Sequence, residues 1–213
     1  MRLLLIRHGE SEGNSELRLQ GQGEYPLTER GLEQSRLLAE RLRPLSLAAL
    51  YSSPIGRARQ TADAIGEATG LPVIDLPGVK EYDFGELAGL NFRELVEKHR
   101  QIVEQYLRGP DYPSFPGAEG REAFRRRVCE ALWGVVERHP GASVAVVAHG
   151  GPIGAFCLEV LGLPDRRPLP LRIYNGSITV VEVRDGPPEG HDPRPRAILA
   201  ALNDTCHLQR TQR

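Results

Sequence analysis

The chain has 213 residues, 40% of them apolar, and a net charge of −1. That length supports one substantial domain with a real core. The near-neutral charge argues against a nucleic-acid partner held by a broad basic field. No window is apolar enough to span a membrane.

The elements alternate from the start. Leu3-Leu4-Leu5-Ile6 is a short apolar run that predicts a first strand, with Arg7 and His8 at its C-terminal end. The run is too short for a signal-peptide core and is closed at once by Arg7. Thr28 reads as the N-cap of a helix with Leu32, Leu38, Ala39 and Leu42 on its apolar face. Leu47 to Tyr51 predicts a second strand. Ser53-Pro54 then predicts a helix start, with Pro54 at the first position and Ala58, Ala62 and Ile65 as the buried stripe. Gly70 and Pro72 end that helix, and Leu71–Leu76 reads as a short strand.

The segment from Tyr82 to about residue 120 differs in character. It carries a polar helix, Phe92 to Leu107, and a Pro-rich loop over 109–116. Seven of the chain's eleven Phe and Tyr residues fall between Tyr82 and Phe124: Tyr82, Phe84, Phe92, Tyr106, Tyr112, Phe115 and Phe124. They form either a small core of their own or the lining of a lid over a substrate, since pockets are mostly apolar with a few polar anchors. A helix over Glu119 to His139 follows. Val144–Ala148 reads as a central buried strand, and Gly150-Gly151-Pro152 opens a helix over Ile153 to Leu161. Ser177–Val183 and Ala197–Leu202 are late strands flanking a loop over 185–196.

This pattern predicts one domain over residues 1–213, a three-layer α/β/α fold with a mainly parallel sheet, and a helical lid insertion over 82–120. Cys129, Cys157 and Cys206 lack metal-ligand spacing and read as reduced thiols in a cytoplasmic protein. His99, His139, His191 and His207 read as structural, and Arg125-Arg126-Arg127 as a solvated helix face.

Chemistry concentrates at strand ends. Arg7-His8, the stretch Ser52 to Arg57, Glu81 and His149 each follow an expected strand. In a parallel sheet these junctions share one edge, where ligands bind. An isolated histidine there is usually a satisfied residue, and an isolated glutamate is usually solvated. Their joint placement points to a phosphate ester. A neutral imidazole, His8, attacks a dianion without the repulsion an anionic nucleophile meets. Arg7 and Arg57 would clamp the non-bridging oxygens. His149, if protonated, would add a third cation. Glu81 could protonate the leaving oxygen if burial raises its pKa, and then deprotonate the attacking water. Gly9 allows close backbone approach after the nucleophile. Asn14 and Gln20 offer neutral donors, and Gly21, Tyr82 and Gly150 complete the expected substrate-binding set. No cofactor or metal is called for, and no histidine pair has ligand spacing.

Five blocks in order resemble the histidine phosphatase superfamily, the phosphoglycerate mutase-like group. They are Leu5-Ile-Arg-His-Gly-Glu-Ser-Glu-Gly-Asn14, Pro26-Leu-Thr-Glu-Arg-Gly31, Tyr51-Ser-Ser-Pro-Ile-Gly-Arg-Ala-Arg-Gln-Thr-Ala62, Glu81-Tyr-Asp-Phe-Gly-Glu-Leu-Ala-Gly89 and Val146-Val-Ala-His-Gly-Gly151. Leu202-Asn-Asp-Thr-Cys-His-Leu208 is similar to a recurrent tail motif. The resemblance implies that His8 is phosphorylated, that Glu81 donates the proton, and that Arg7, Arg57 and His149 form the phosphate pocket with help from Asn14 and Gln20. It also implies a cytosolic, metal-independent enzyme.

Gly117-Ala-Glu-Gly120 stands where many relatives have Gly-Gly-Glu-Ser, and neither Lys80 nor Lys98 fills the place of a mutase lysine. The chain therefore looks more like the phosphatase branch, which includes broad-specificity and α-ribazole phosphate phosphatases. A cofactor-dependent phosphoglycerate mutase is the alternative, and a non-catalytic phospho-ligand binding protein a third reading. The expected partner is a small phosphate ester, with no nucleic acid and no membrane. A homodimer is compatible with this reading.

Overall fold

The computed structural model describes residues 1–108, 115–164, 171–184 and 197–211. Residues 109–114 with Tyr112, the loop 185–196 with His191, and the side chain of Tyr106 lie outside the described set.

The first apolar run forms β1 (Arg2–Arg7). A short helix, α1 (Glu12–Ser15), leads to α2 (Glu29–Leu42), whose N-cap Thr28 accepts from the Gly31 N–H as its sequence position predicts. Then come β2 (Ala49–Ser52), α3 (Gly56–Thr69) and β3 (Val73–Asp75). The middle of the chain holds α4 (Phe92–Lys98), α5 (Arg100–Arg108) and α6 (Arg121–Arg138). The last elements are β4 (Ser143–Ala148), α7 (Gly150–Val160), β5 (Ile178–Val183) and β6 (Ala197–Asp204).

The described strands form one sheet in the order β3-β2-β4-β1-β5-β6. The four strands from β3 to β1 are parallel, whereas β5 and β6 run antiparallel. Alternate residues of β1 feed the two faces, as strand geometry requires. Leu3 and Leu5 pack with Phe124, Val128 and Leu132 of α6 and Phe156 of α7. Leu4 and Ile6 pack with Leu38 and Leu42 of α2 and Ala62 and Ile65 of α3. Two helical layers thus enclose the sheet, and the three-layer expectation holds.

Three local expectations shift. Leu32 is 53% exposed, because the buried stripe of α2 runs through Gly31, Gln34, Ser35, Leu38 and Leu42. The helix after β2 begins at Gly56 with Ile55 as its N-cap, and Pro54 stays outside it. The Ser53 hydroxyl meets the His149 ring instead of serving as the cap. The expected polar helix over 92–107 divides at His99, which ends α4 in a non-helical conformation.

Close backbone packing holds the first loop against α2. A Cβ at Gly9 would collide with the Gly31 carbonyl, and one at Gly31 with the Glu10 carbonyl. The close approach expected at Gly9 is therefore made by Gly31. Overpacking here cannot be relieved by a rotamer change, because both contacts are backbone. Gly31→Ala should lower stability by about 1–3 kcal/mol in urea unfolding, and an unchanged midpoint would contradict this packing.

Candidate active site

The parallel ladder runs one residue past its strands. The His8 N–H donates to the Ala148 carbonyl at 3.1 Å, and the Ser53 N–H to the Val147 carbonyl at 2.9 Å. His8, Ser53 and His149 therefore leave the sheet side by side at its C-terminal edge. All three are fully or almost fully buried.

His8 has one available tautomer. Its Nδ1 lies 2.6 Å from the Gly9 carbonyl, which can only accept, so Nδ1 carries the proton. Nε2 is then the lone-pair nitrogen, and it accepts from Nε of Arg57 at 3.2 Å. Burial, reinforced by Arg7 and Arg57, holds the ring well below the ordinary pKa of 6.5. The imidazole is neutral with its lone pair exposed to the cations.

Both arginines are anchored by carbonyls. Arg57, in the first turn of α3, donates to Gly23 O at 2.9 Å and Gly21 O at 2.8 Å. Arg7 donates to Ile173 O at 2.5 Å, while its Nε is buried with no protein partner. Among the described residues neither makes a salt bridge. Burial is the first cause that pushes Arg7 down to about 10, and it lowers Arg57 as well. Unpaired buried guanidinium groups are costly, and an anion placed between them would relieve that cost.

His149 caps α7 and packs edge-on to His8, with ring centroids 5.1 Å apart. Its Nε2 pairs with Ser53 Oγ at 2.8 Å, and its Nδ1 is buried without a partner. Burial first, then His8, Arg57 and Arg7, hold it well below 6.5. Burial above all, with the nearby guanidinium groups, disfavours the protonated ring that would make His149 a third cation.

Glu81 is half-buried rather than enclosed. Its Oε1 accepts from the Tyr82 N–H at 2.8 Å and its Oε2 from the Gly151 N–H at 3.1 Å. A Cβ at Gly151 would strike this carboxylate, so glycine is what lets α7 approach it. The Gly150 backbone lies beside the Arg7 guanidinium.

The other expected binding residues divide. Asn14 Oδ1 accepts from Asn175 Nδ2 at 3.0 Å and from Ser11. Gln20 Oε1 accepts from Ser11 Oγ at 2.7 Å. Gly21, at φ +53°, supplies the carbonyl that orients Arg57. The Tyr82 hydroxyl donates to the Glu119 carbonyl, so the ring rather than the hydroxyl faces the cleft.

Several participants escape the sequence reading. Asn175 donates to the carbonyls of His8 and Gly9 at 3.1 and 3.3 Å, and it arrives only because β5 is antiparallel to β1. The Asn175-Gly176 turn before β5 was the available signal. His207 reaches the Gly176 carbonyl, and the Gly176 N–H donates to Arg7 O and His8 O. Arg127 is half-buried and bonded to the Glu81 loop, not on a solvated face.

The model of the histidine phosphatase superfamily (branch 1) matches residues 3–192. The chain belongs to this superfamily. It is 33% identical over 210 residues to the "Probable phosphoglycerate mutase GpmB" of Yersinia pestis (strain Pestoides F), covering 98% of this chain and 95% of that protein. Among solved structures it is similar to Bacillus stearothermophilus YhfR, with a TM-score of 0.87, 28% identity, and 98% and 99% of the two chains covered. The α-ribazole phosphatase of Shigella flexneri gives a TM-score of 0.82 at 26% identity, with 95% and 96% covered. Phosphatases and a mutase-like relative thus share this architecture.

Beside the superfamily residues lies a cleft of about 360 Å³. Tyr82, Phe84, Phe92 and Phe115 line it, with Leu87, Leu95, Ile102 and Val103, and Glu81, Arg121 and Gly151 at its polar end. Tyr82 also stacks edge-on with Phe84, Phe115 and the fully buried Phe124. Among the described aromatic residues, Phe124 is core, and Tyr82, Phe84, Phe92 and Phe115 line the cleft. No described helix is long and apolar enough to cross a membrane.

The two neutral rings make stability depend on pH with a definite sign. An unfolded histidine takes up a proton near 6.5, which His8 and His149 in the native state do not. Unfolding therefore binds protons, and stability falls as pH drops below that value, by up to about 1.4 kcal/mol per pH unit for each ring. Urea denaturation between about pH 7.5 and 5.5 should show this slope, and His149→Gln a shallower one. Identical slopes would contradict it.

Proposed function

We propose that the protein hydrolyses a phosphate monoester whose alcohol has an apolar body, through a phosphohistidine on His8. The observation that carries this reading is the His8 tautomer: Nδ1–H bonded to Gly9 O and an unprotonated Nε2 that accepts from Arg57 Nε, on a ring that also feels the charge of Arg7. His8 Nε2 attacks phosphorus as the P–O bond to the leaving group breaks. Glu81, in its protonated form, gives that oxygen its proton. As carboxylate it then takes a proton from water, whose oxygen attacks phosphorus and breaks the P–N bond. The guanidinium groups of Arg7 and Arg57 hold the equatorial oxygens throughout. The buried, unpartnered Arg7 Nε and His149 Nδ1 are further hydrogen-bonding groups for the phosphate. Asn14 and Gln20 keep their amide NH₂ groups for the same ligand.

The walls supplied by α4 and α5 support the reading of 82–120 as a lid. They also support an apolar alcohol, because the described lining offers many carbon atoms and Arg121 as its one cation. The mutase name of the Yersinia pestis relative favours a second reading. A phosphoglycerate, however, would place a carboxylate against this apolar wall, which costs desolvation without a return.

With p-nitrophenyl phosphate and EDTA the protein should turn over, and His8→Ala should lose at least about 10³-fold in kcat. Acid-labile, base-stable radiolabel on His8 in the quenched reaction would identify the intermediate. Along a series of alkyl phosphates, kcat/KM should rise by about fourfold per buried methylene. Efficient interconversion of 2- and 3-phosphoglycerate, dependent on the bisphosphate, would instead establish the mutase.

A further inference from the structure

The guanidinium of Arg127 on α6 spends three of its five N–H groups on the loop that carries Glu81 and the other two on the Glu119 carboxylate. NH1 donates to Gly78 O at 2.9 Å and Lys80 O at 2.8 Å. NH2 donates to Glu81 O at 3.0 Å and to Glu119 Oε1 at 2.5 Å. Nε donates to Glu119 Oε2 at 2.9 Å. Five donors is the full capacity of arginine, so no N–H is left over for substrate.

Three carbonyls, at residues 78, 80 and 81, converge on one planar group. Convergence of this kind bends the chain around the cation and sets the direction in which residue 81 leaves it. Glu119 closes the other flank. Its Oε1 accepts the Asp83 N–H at 2.8 Å, and its backbone carbonyl accepts the Tyr82 hydroxyl. The segment 81–83 is thereby held on both sides by one half-buried ion pair. At the end of this chain of contacts, the Glu81 carboxylate meets the Gly151 N–H of α7. The Phe124 ring lies under the Arg127 guanidinium, 4.9 Å away, and fixes its plane.

We propose that Arg127, with Glu119, is the positioning residue for the Glu81 carboxyl, setting where the proton is delivered without touching substrate. The proposal rests on the reading of Glu81 as general acid. A structural role alone would lower activity on every substrate alike. A role in aiming the acid has a different signature, because a good leaving group needs little protonation and a poor one needs it fully.

The test uses the full chain and two probes, p-nitrophenyl phosphate and hexyl phosphate. Arg127→Met should cut kcat/KM on hexyl phosphate, which reports transfer to His8 and not the later hydrolysis of the shared phosphoenzyme, by about 10²-fold, the loss expected for a group displaced by about 1 Å. It should cut kcat/KM on p-nitrophenyl phosphate by less than about threefold. Arg127→Lys keeps the charge but cannot make the fork, so it should resemble Arg127→Met. Glu119→Gln, a milder change should Arg127→Met not fold, should shift the same ratio in the same direction. Adding Arg127→Met to Glu81→Gln should cost nothing further on hexyl phosphate.

Glu81→Gln separates the two claims. If it shows no dependence on the leaving group, the general-acid reading itself is wrong. Should Glu81→Gln show that dependence while Arg127→Met and Glu119→Gln do not, the positioning proposal is overturned. Full rescue by lysine would also overturn it, because charge acting through space would then suffice.

Discussion

The hydrogen bond from His8 Nδ1 to the carbonyl of its own neighbour, Gly9, leaves the ring one nitrogen with a lone pair. That bond costs nothing in long-range organisation, yet it decides the chemistry. It requires the chain to turn sharply after β1, and the interlock of Gly9 with Gly31 holds that turn. Around the aimed nitrogen the sheet edge then places two guanidinium groups and a second imidazole. None of these is useful unless His8 stays neutral, and the same burial that packs the edge keeps it so.

The arrangement is expensive. A buried cation, Arg57, and a half-buried one, Arg7, stand at the sheet edge without a salt bridge among the described residues, and two histidines are buried uncharged beside them. Backbone carbonyls at Gly21, Gly23 and Ile173 offset part of the desolvation. What they leave is a positive potential in a low-dielectric pocket, where each interaction with an incoming dianion is stronger than in water. The two helical layers supply the apolar packing that tolerates this edge.

The site has two halves of different origin. The phosphate half sits on β1, β2, β4 and the starts of α3 and α7, all locked into one sheet. The cleft half comes from the connection between β3 and α6, whose walls are side chains of short helices and turns. Glu81 stands at the junction, tied to α7 through Gly151 and to α6 through Arg127.

The residue pattern alone determined the layers and the set of ionisable residues at the sheet edge. Apolar runs of strand length, Gly and Pro stops, and ionisable residues at strand ends are local signals, and parallel pairing carries them to one edge. Arg7, His8, Arg57, Glu81 and His149 meet there for that reason. What depends on distant segments was not legible. The antiparallel return of β5, which delivers Asn175, is a choice of strand direction that no local pattern encodes. Ser53 serves a ring rather than a helix end because His149, 96 residues away in sequence, competes for its hydroxyl. Arg127 belongs to a run that reads as solvent-facing, and only the packing of the Glu81 loop against α6 gives it three carbonyl acceptors beside the Glu119 carboxylate. Charge state follows the same division: the kinds of ionisable group are written in the chain, whereas their protonation is set by burial and by neighbours that only folding brings together.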